Sequence, residues 1–196
     1  MNDLIRMRPD LKTPGPSTND VAPAEYLHVT DDDLVAAVRT YAADQELPVP
    51  ASPEDAAAFE RIVGHRMPEL LKRIYLEVSN GGFGPAEVVS LTDTGDWFSD
   101  CEDIAMAYRE LADPERGIPP GIVPLMDRGC TMWALIDFKT ADGQMWDWDP
   151  NLCCKEHALA PLGQSLAGWL TDWLHGTMPD GSYPHRELSA RNCSVG

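Results

Sequence analysis

Cys153-Cys154-Lys155-Glu156-His157 sets two thiols and an imidazole side by side, and Cys130 adds a third sulfur with which a zinc site could be drawn. Structural zinc takes four ligands, usually as two short-spaced pairs, and the chain has no second Cys-x-x-Cys or His pair, so the spacing argues against a metal. A nucleophilic cysteine needs a base at hydrogen-bond distance and a third group to orient that base. His65, His157 and His175 are available as bases, yet no cysteine stands in a signature of such enzymes, and no catalytic residue is assigned. The glycine-rich run Asn80-Gly81-Gly82-Phe83-Gly84-Pro85 precedes a predicted strand instead of opening a helix and lacks a following lysine. It is no phosphate cradle, and no cofactor is expected.

The polar features that remain are acidic. In Trp146-Asp147-Trp148-Asp149, strand alternation puts the two tryptophans on one face and the two acids, with Met145, on the other. Such an acid pair could grip a cation or a metal-bound sugar nucleotide. Alternation already explains the spacing, however, as a half-buried strand with two core tryptophans and a solvated acidic face that can still recognise a protein. Residues 87–115 hold nine acids against the single base Arg109. Much of this is turn and helix-cap chemistry. Trp97-Phe98 sits among the charges, either as core or as the aromatic anchor of a protein-binding patch with a charged surround.

Composition narrows the partners. The formal net charge of −17 opposes the phosphate attraction that supplies most nucleic-acid affinity, and it disfavours anionic membranes equally. A basic protein fits. No stretch approaches the roughly 18 apolar residues of a membrane span, and Met1–Pro9 has no apolar run of signal-peptide length, so a cytoplasmic location is expected. Five cysteines at irregular positions, two of them adjacent, make a secreted disulfide framework improbable. With 43% hydrophobic residues in 196, the chain can bury one good core.

The elements that must position these residues are well punctuated. Thr30 before Asp31-Asp32-Asp33 caps a helix carrying Leu34, Val38 and Tyr41, which ends before Pro48. Ser52-Pro53-Glu54-Asp55 caps a second, with Phe59, Ile62 and Val63 on its apolar face. Pro68 at a first helical position starts a third, whose stripe of Leu70, Leu71, Ile74, Tyr75 and Val78 runs to a stop near Ser79, where Asn80-Gly81-Gly82 tolerates positive φ. A strand over 87–91 follows, then a helix capped by Ser99 or Asp100 with Ile104, Tyr108 and Leu111 on one face. Strands are predicted at 122–125, 131–138 and 144–148, the last two joined through the hairpin signal Asp142-Gly143. Leu162, Leu166, Trp169, Leu170 and Trp173 repeat at helical spacing up to Gly176, and both tryptophans are expected in the core. Helices, an antiparallel or partly mixed sheet and a covering C-terminal helix define an α+β fold. One domain over 29–176 is expected, with an extended lead-in at 1–28 and a tail at 177–196.

The order of a capped helix with Phe59-Glu60, then Gly64, Met67-Pro68, a second helix and Asn80-Gly81-Gly82 resembles the SMI1/KNR4 family of the SUKH superfamily. The resemblance runs over about 52–176, because the Asp127-Arg128-Gly129-Cys130 turn, Trp133 and the Trp146–Asp149 hairpin look like that family's glycine-cysteine turn and Trp-rich hairpin. It implies an SMI1/KNR4-like domain without an active site, and a cytoplasmic immunity protein that neutralises a cognate toxin, often a nuclease, by stoichiometric binding. A regulatory or scaffolding module is the alternative it implies. Joined to the charge imbalance, it places partner-binding residues at Asp93, Asp96, Trp97, Asp100, Glu102 and Asp103, with Asp147 and Asp149 contributing from the hairpin.

Overall fold

The computed structural model describes residues 29–95, 100–152 and 157–178. Three helices come first: α1 (Asp31–Ala43), α2 (Pro53–Val63) and α3 (Glu69–Glu77). The first two begin in reciprocal capping boxes. Asp33 N–H donates to Thr30 Oγ1 at 3.2 Å while Thr30 N–H donates to Asp33 Oδ2 at 3.0 Å, and Ser52 with Asp55 repeats both bonds at the same lengths. Each box satisfies two backbone donors that a helix start leaves without partners. Pro68 is the N-cap of α3 rather than its first helical residue, and the helix stops at Glu77, slightly short of the expected Ser79. Ile62, expected on the apolar face of α2, is exposed, whereas Phe59 and Val63 are buried.

The Phe59-Glu60 pair is structural. Phe59 meets Tyr108 and Phe138 edge-to-face with ring centroids 6.3 and 5.9 Å away. Glu60 Oε1 accepts from Met67 N–H and from Lys72 Nζ, both at 3.1 Å, and so fastens the α2–α3 turn. Arg73 ties α3 to α1, donating to Asp32 at 2.7 Å and to Glu77 at 2.9 Å.

The sheet is a four-stranded antiparallel meander, β1 (Ile122–Asp127), β2 (Trp133–Asp137), β3 (Gln144–Trp148) and β4 (Leu159–Ser165), in that spatial order. Trp133 pairs with Trp148, Leu135 with Trp146 and Ile136 with Met145. Every residue of β2 is buried, so both faces of the sheet are covered there. At the β1–β2 tip, Gly129, Cys130 and Thr131 all have positive φ, and Asn151 Nδ2 donates to Cys130 O at 2.9 Å.

Three expectations are corrected here. Residues 87–91 form only a single antiparallel bridge, Val88 to Met126. Val88 spends its own backbone groups on a tight local turn, donating to Phe83 O at 2.7 Å and accepting from Gly82 at 2.8 Å, and Glu87 is left-handed at φ 59°. Residues 159–165, absent from the sequence reading, form edge strand β4; Pro161 and Gly163 mask its pattern, and an edge tolerates both. Leu162 therefore belongs to a strand, and α5 (Leu166–His175) starts from Ser165, whose hydroxyl accepts from Gly168 N–H at 3.3 Å. Trp169 of α5 is fully buried, but Trp173 is only half-buried, edge-to-face with Tyr41 at 4.8 Å.

The fourth helix, α4 (Ile104–Leu111), is capped by Asp103 rather than by Ser99 or Asp100, and a short 3₁₀ turn over Pro114–Arg116 follows it. The apolar stripe of α4 faces inward through Ile104, Ala107 and Leu111.

The tightest backbone approach lies after α3. Gly81 has φ 126°, and a Cβ there would stand 2.8 Å from Ser90 Cα and 2.9 Å from Ser90 N. Gly64, at φ 78°, has open space instead. Gly81→Val should therefore lose about 2–5 kcal/mol from left-handed strain plus overpacking, whereas Gly64→Ala should lose about 1–2 kcal/mol from strain alone. Urea denaturation of the two variants beside wild type checks the difference; equal losses would contradict it.

Candidate protein-binding surface

The acidic loop is built outward from buried backbone. Asn80 Oδ1 accepts from Leu91 N–H at 2.9 Å and Thr92 N–H at 3.2 Å, and Asn80 Nδ2 donates to Thr92 O at 3.1 Å and Thr92 Oγ1 at 2.9 Å. Ser79 Oγ reaches Pro48 O at 2.9 Å and Gly81 O at 2.7 Å. Tyr75, whose hydroxyl burial holds well above the usual phenol range and so keeps protonated, donates to Val89 O at 2.7 Å. Ile104 N–H returns to Ser90 O at 2.8 Å. The chain thus leaves the core at Thr92 and re-enters at Ile104, with both roots fixed.

Between those roots stand most of the sequence-predicted residues. Asp93 is exposed, and its Oδ1 accepts from Gly95 N–H at 2.8 Å, a local Asx turn. Asp100 and Glu102 are exposed, and none of Asp93, Asp100 and Glu102 has an ion-pair partner among the described residues. Asp103 is half-buried and accepts from Met106 N–H at 2.7 Å, so it serves α4 before any partner. Asp96 and Trp97 lie outside the described residues. Cys101 points inward, its thiol donating to Glu110 Oε2 at 3.7 Å.

The hairpin acids stand apart from this. Asp147 is 2% exposed and forms a buried ion pair with Arg128, so the expected solvated acidic face is wrong at this position. An ion-paired carboxylate inside the sheet layer offers nothing to a partner, and the pair explains why an acid can occupy a core-facing strand position. Alternation grouped Asp147 with Met145 but did not show that this face is buried or that a cation pairs with the acid. Asp149 is half-buried and takes up Asn151 N–H at 2.9 Å and Asn151 Nδ2 at 3.1 Å. Trp148 is buried, with the Arg116 guanidinium 5.6 Å from its ring centroid, and Trp146 is half-buried.

Sequence reasoning missed two exposed apolar side chains. Met106 is 42% exposed on α4, one turn into the helix that Asp103 caps, and Val49 is 82% exposed between two prolines. Met106 falls off the stripe of Ile104, Tyr108 and Leu111, which was the available signal. Among the described residues no group of three or more His, Cys, Asp or Glu side chains is arranged to hold a metal ion; Cys153 to Glu156 lie outside them. Among the same residues no helix is long and apolar enough to cross a membrane.

A core of capped helices on an antiparallel meander, with an exposed acidic loop on a clamped base, defines an α+β protein. The chain belongs to the SMI1/KNR4 family (SUKH-1), whose family profile matches residues 50–172. No curated protein matches the chain. The match covers the two motif helices, the clamp, the acidic loop and the sheet, and it begins just before the Ser52 cap.

Two outcomes follow from the geometry. Asp147→Ala removes the buried carboxylate of the ion pair with Arg128 and should destabilise by about 3–5 kcal/mol, while Asp93→Ala and Asp100→Ala should leave the melting midpoint essentially unchanged; thermal melts of the three separate the buried acid from the loop acids. The second concerns acid. Bonds from the Ser52 hydroxyl, then its backbone N–H, hold the Asp55 carboxyl below the usual carboxylate range. Its contribution to stability is therefore complete above the unfolded value, about 4, and is lost as pH falls through the lower folded value. Asp55→Asn should flatten the fall of melting temperature with pH below about 4, measured by circular dichroism against wild type.

Proposed function

We propose that this protein is a non-enzymatic immunity protein that binds and neutralises a cognate toxin, one with a basic surface such as a nuclease, in the cytoplasm. Membership in the SMI1/KNR4 family fits an immunity-type role exercised on a protein partner. The observation that carries the reading is the loop from Asp93 to Asp103: exposed carboxylates without cationic partners among the described residues, on a base that cannot shift, in a chain of net charge −17. A toxin that acts on nucleic acid must present a cationic surface to phosphate, and an acidic loop both steers association with that surface and covers it. Asp93, Asp96, Asp100 and Glu102 supply the charge, Trp97 and Met106 the apolar contact, and Asp103 holds the helix that carries Met106. Asp149 joins from the end of β3; Asp147 is left out because it is buried in its pair with Arg128.

Affinity capture from the native host, with mass spectrometry, identifies the partner. Expressed alone that partner should arrest growth, and co-expression of this protein should relieve the arrest. Asp100→Lys with Glu102→Lys should keep the melting curve, slow association at least tenfold at low salt, and flatten its dependence on ionic strength, because long-range attraction is screened within about 10 Å at 0.1 M. Asp103 is left intact in this variant because its loss would uncap α4. A harmless partner, or association kinetics unchanged in the variant, would overturn the reading.

A further inference from the structure

A groove borders the acidic loop on the side of the α1–α2 connection. Val49, Pro50, Asp55, Asn80, Thr92 and Asp93 are among its lining residues, and among the described residues no lysine or arginine lines it. Its apolar wall is unusual in being both exposed and fixed. Val49 is 82% exposed, yet its carbonyl accepts from Asn80 N–H at 3.3 Å, while the neighbouring Pro48 and Ala51 are bonded to Ser79 Oγ at 2.9 Å and Tyr75 O at 2.9 Å. An isopropyl group held in water between two prolines gains nothing for the fold. The opposite wall starts at Thr92, clamped by Asn80, so neither side must be ordered when a ligand arrives. Two carboxylates face this space: Asp55, which its Ser52 bonds keep ionised, and Asp93, whose Oδ1 is engaged by Gly95 N–H at 2.8 Å.

We propose that this groove takes one lysine or arginine side chain of the protein partner, its methylene stem lying on Val49 and Pro50 and its cationic head held by Asp55 and Asp93. Long basic side chains divide in this way, burying an aliphatic stem while the charged head keeps polar company. Charge-assisted bonds to carboxylates are the strong member of the hydrogen-bond class, and a fixed pair of walls spares the ordering that weakens surface ion pairs. The proposal deepens the reading above and rests on it: the acidic loop sets how fast the partner arrives, and the groove sets how slowly it leaves.

The test uses the full chain, isotope-labelled, titrated with the peptide acetyl-Gly-Arg-Gly-amide and with acetyl-Gly-Gln-Gly-amide as a control. The arginine peptide should give saturable shifts confined to Val49, Ala51, Thr92 and Thr94, and the glutamine peptide none. Asp93→Asn, which keeps an acceptor for Gly95, and Val49→Ser, at an exposed position, should each weaken the peptide at least threefold without moving the melting midpoint. With the captured partner, the two together should speed dissociation at least tenfold, while association, which loses one of the loop's charges, should fall far less than in the Asp100→Lys, Glu102→Lys variant. Scattered shifts, equal shifts with glutamine, or a wild-type dissociation rate would overturn the groove. The two readings fail separately: a wild-type dissociation rate beside slowed association in the Asp100→Lys, Glu102→Lys variant removes the groove alone. Confined peptide shifts with a harmless partner remove the toxin reading alone.

Discussion

Gly81 lies so close to the backbone of Ser90 that a single methyl group would not fit between them, and the rest of the structure is arranged around that contact. The approach lets the buried amide of Asn80 span to Leu91 and Thr92, satisfying four hydrogen bonds with one side chain. It also draws the α1–α2 connection in, through Ser79 Oγ and Asn80 N–H, and lets Tyr75 reach Val89. Three segments distant in sequence meet on the last turn of one helix. The side chains of Tyr75, Ser79 and Asn80 do the joining, and the pairing of these polar groups selects one arrangement of the segments over near alternatives.

What could be read from the chain depended on whether the signal was local. Capping boxes are made by residues three apart, so Thr30 and Ser52 announced α1 and α2 with the correct first residue. Gly176 likewise marked the end of α5. Periodicity identified β3 and grouped Met145 with Asp147, but it took their buried face for a solvated one. It failed where backbone bonding rather than side-chain pattern decided the outcome: Val88 turned its N–H and C=O toward Phe83 and Gly82, and a run with strand composition stayed out of the sheet. Pro161 and Gly163 hid β4 for the converse reason, since an edge strand needs only one side of its ladder.

The candidate surface was legible as charge but not as exposure. Composition cannot separate an acid that caps a helix, one that balances a buried arginine and one that faces water; Asp103, Asp147 and Asp100 are respectively those three. The cations are unevenly placed as well. Arg39, Lys72 and Arg73 are spent on the helical layer, against Glu77, Glu60 and Asp32, which leaves the 93–103 loop with its field uncompensated among the described residues.

The meander has a consequence for how the chain is made. Every strand pairs with its neighbour in sequence, so each hairpin closes a short loop, and the sheet can assemble in the order of synthesis with little entropic delay. Its last support arrives late: α5 follows β4 directly, and its Trp169 fills the space beside Gly84 and Val88. Until that helix leaves the ribosome, a growing chain holds a paired sheet with an uncovered apolar face, the kind of surface that nascent-chain chaperones shield.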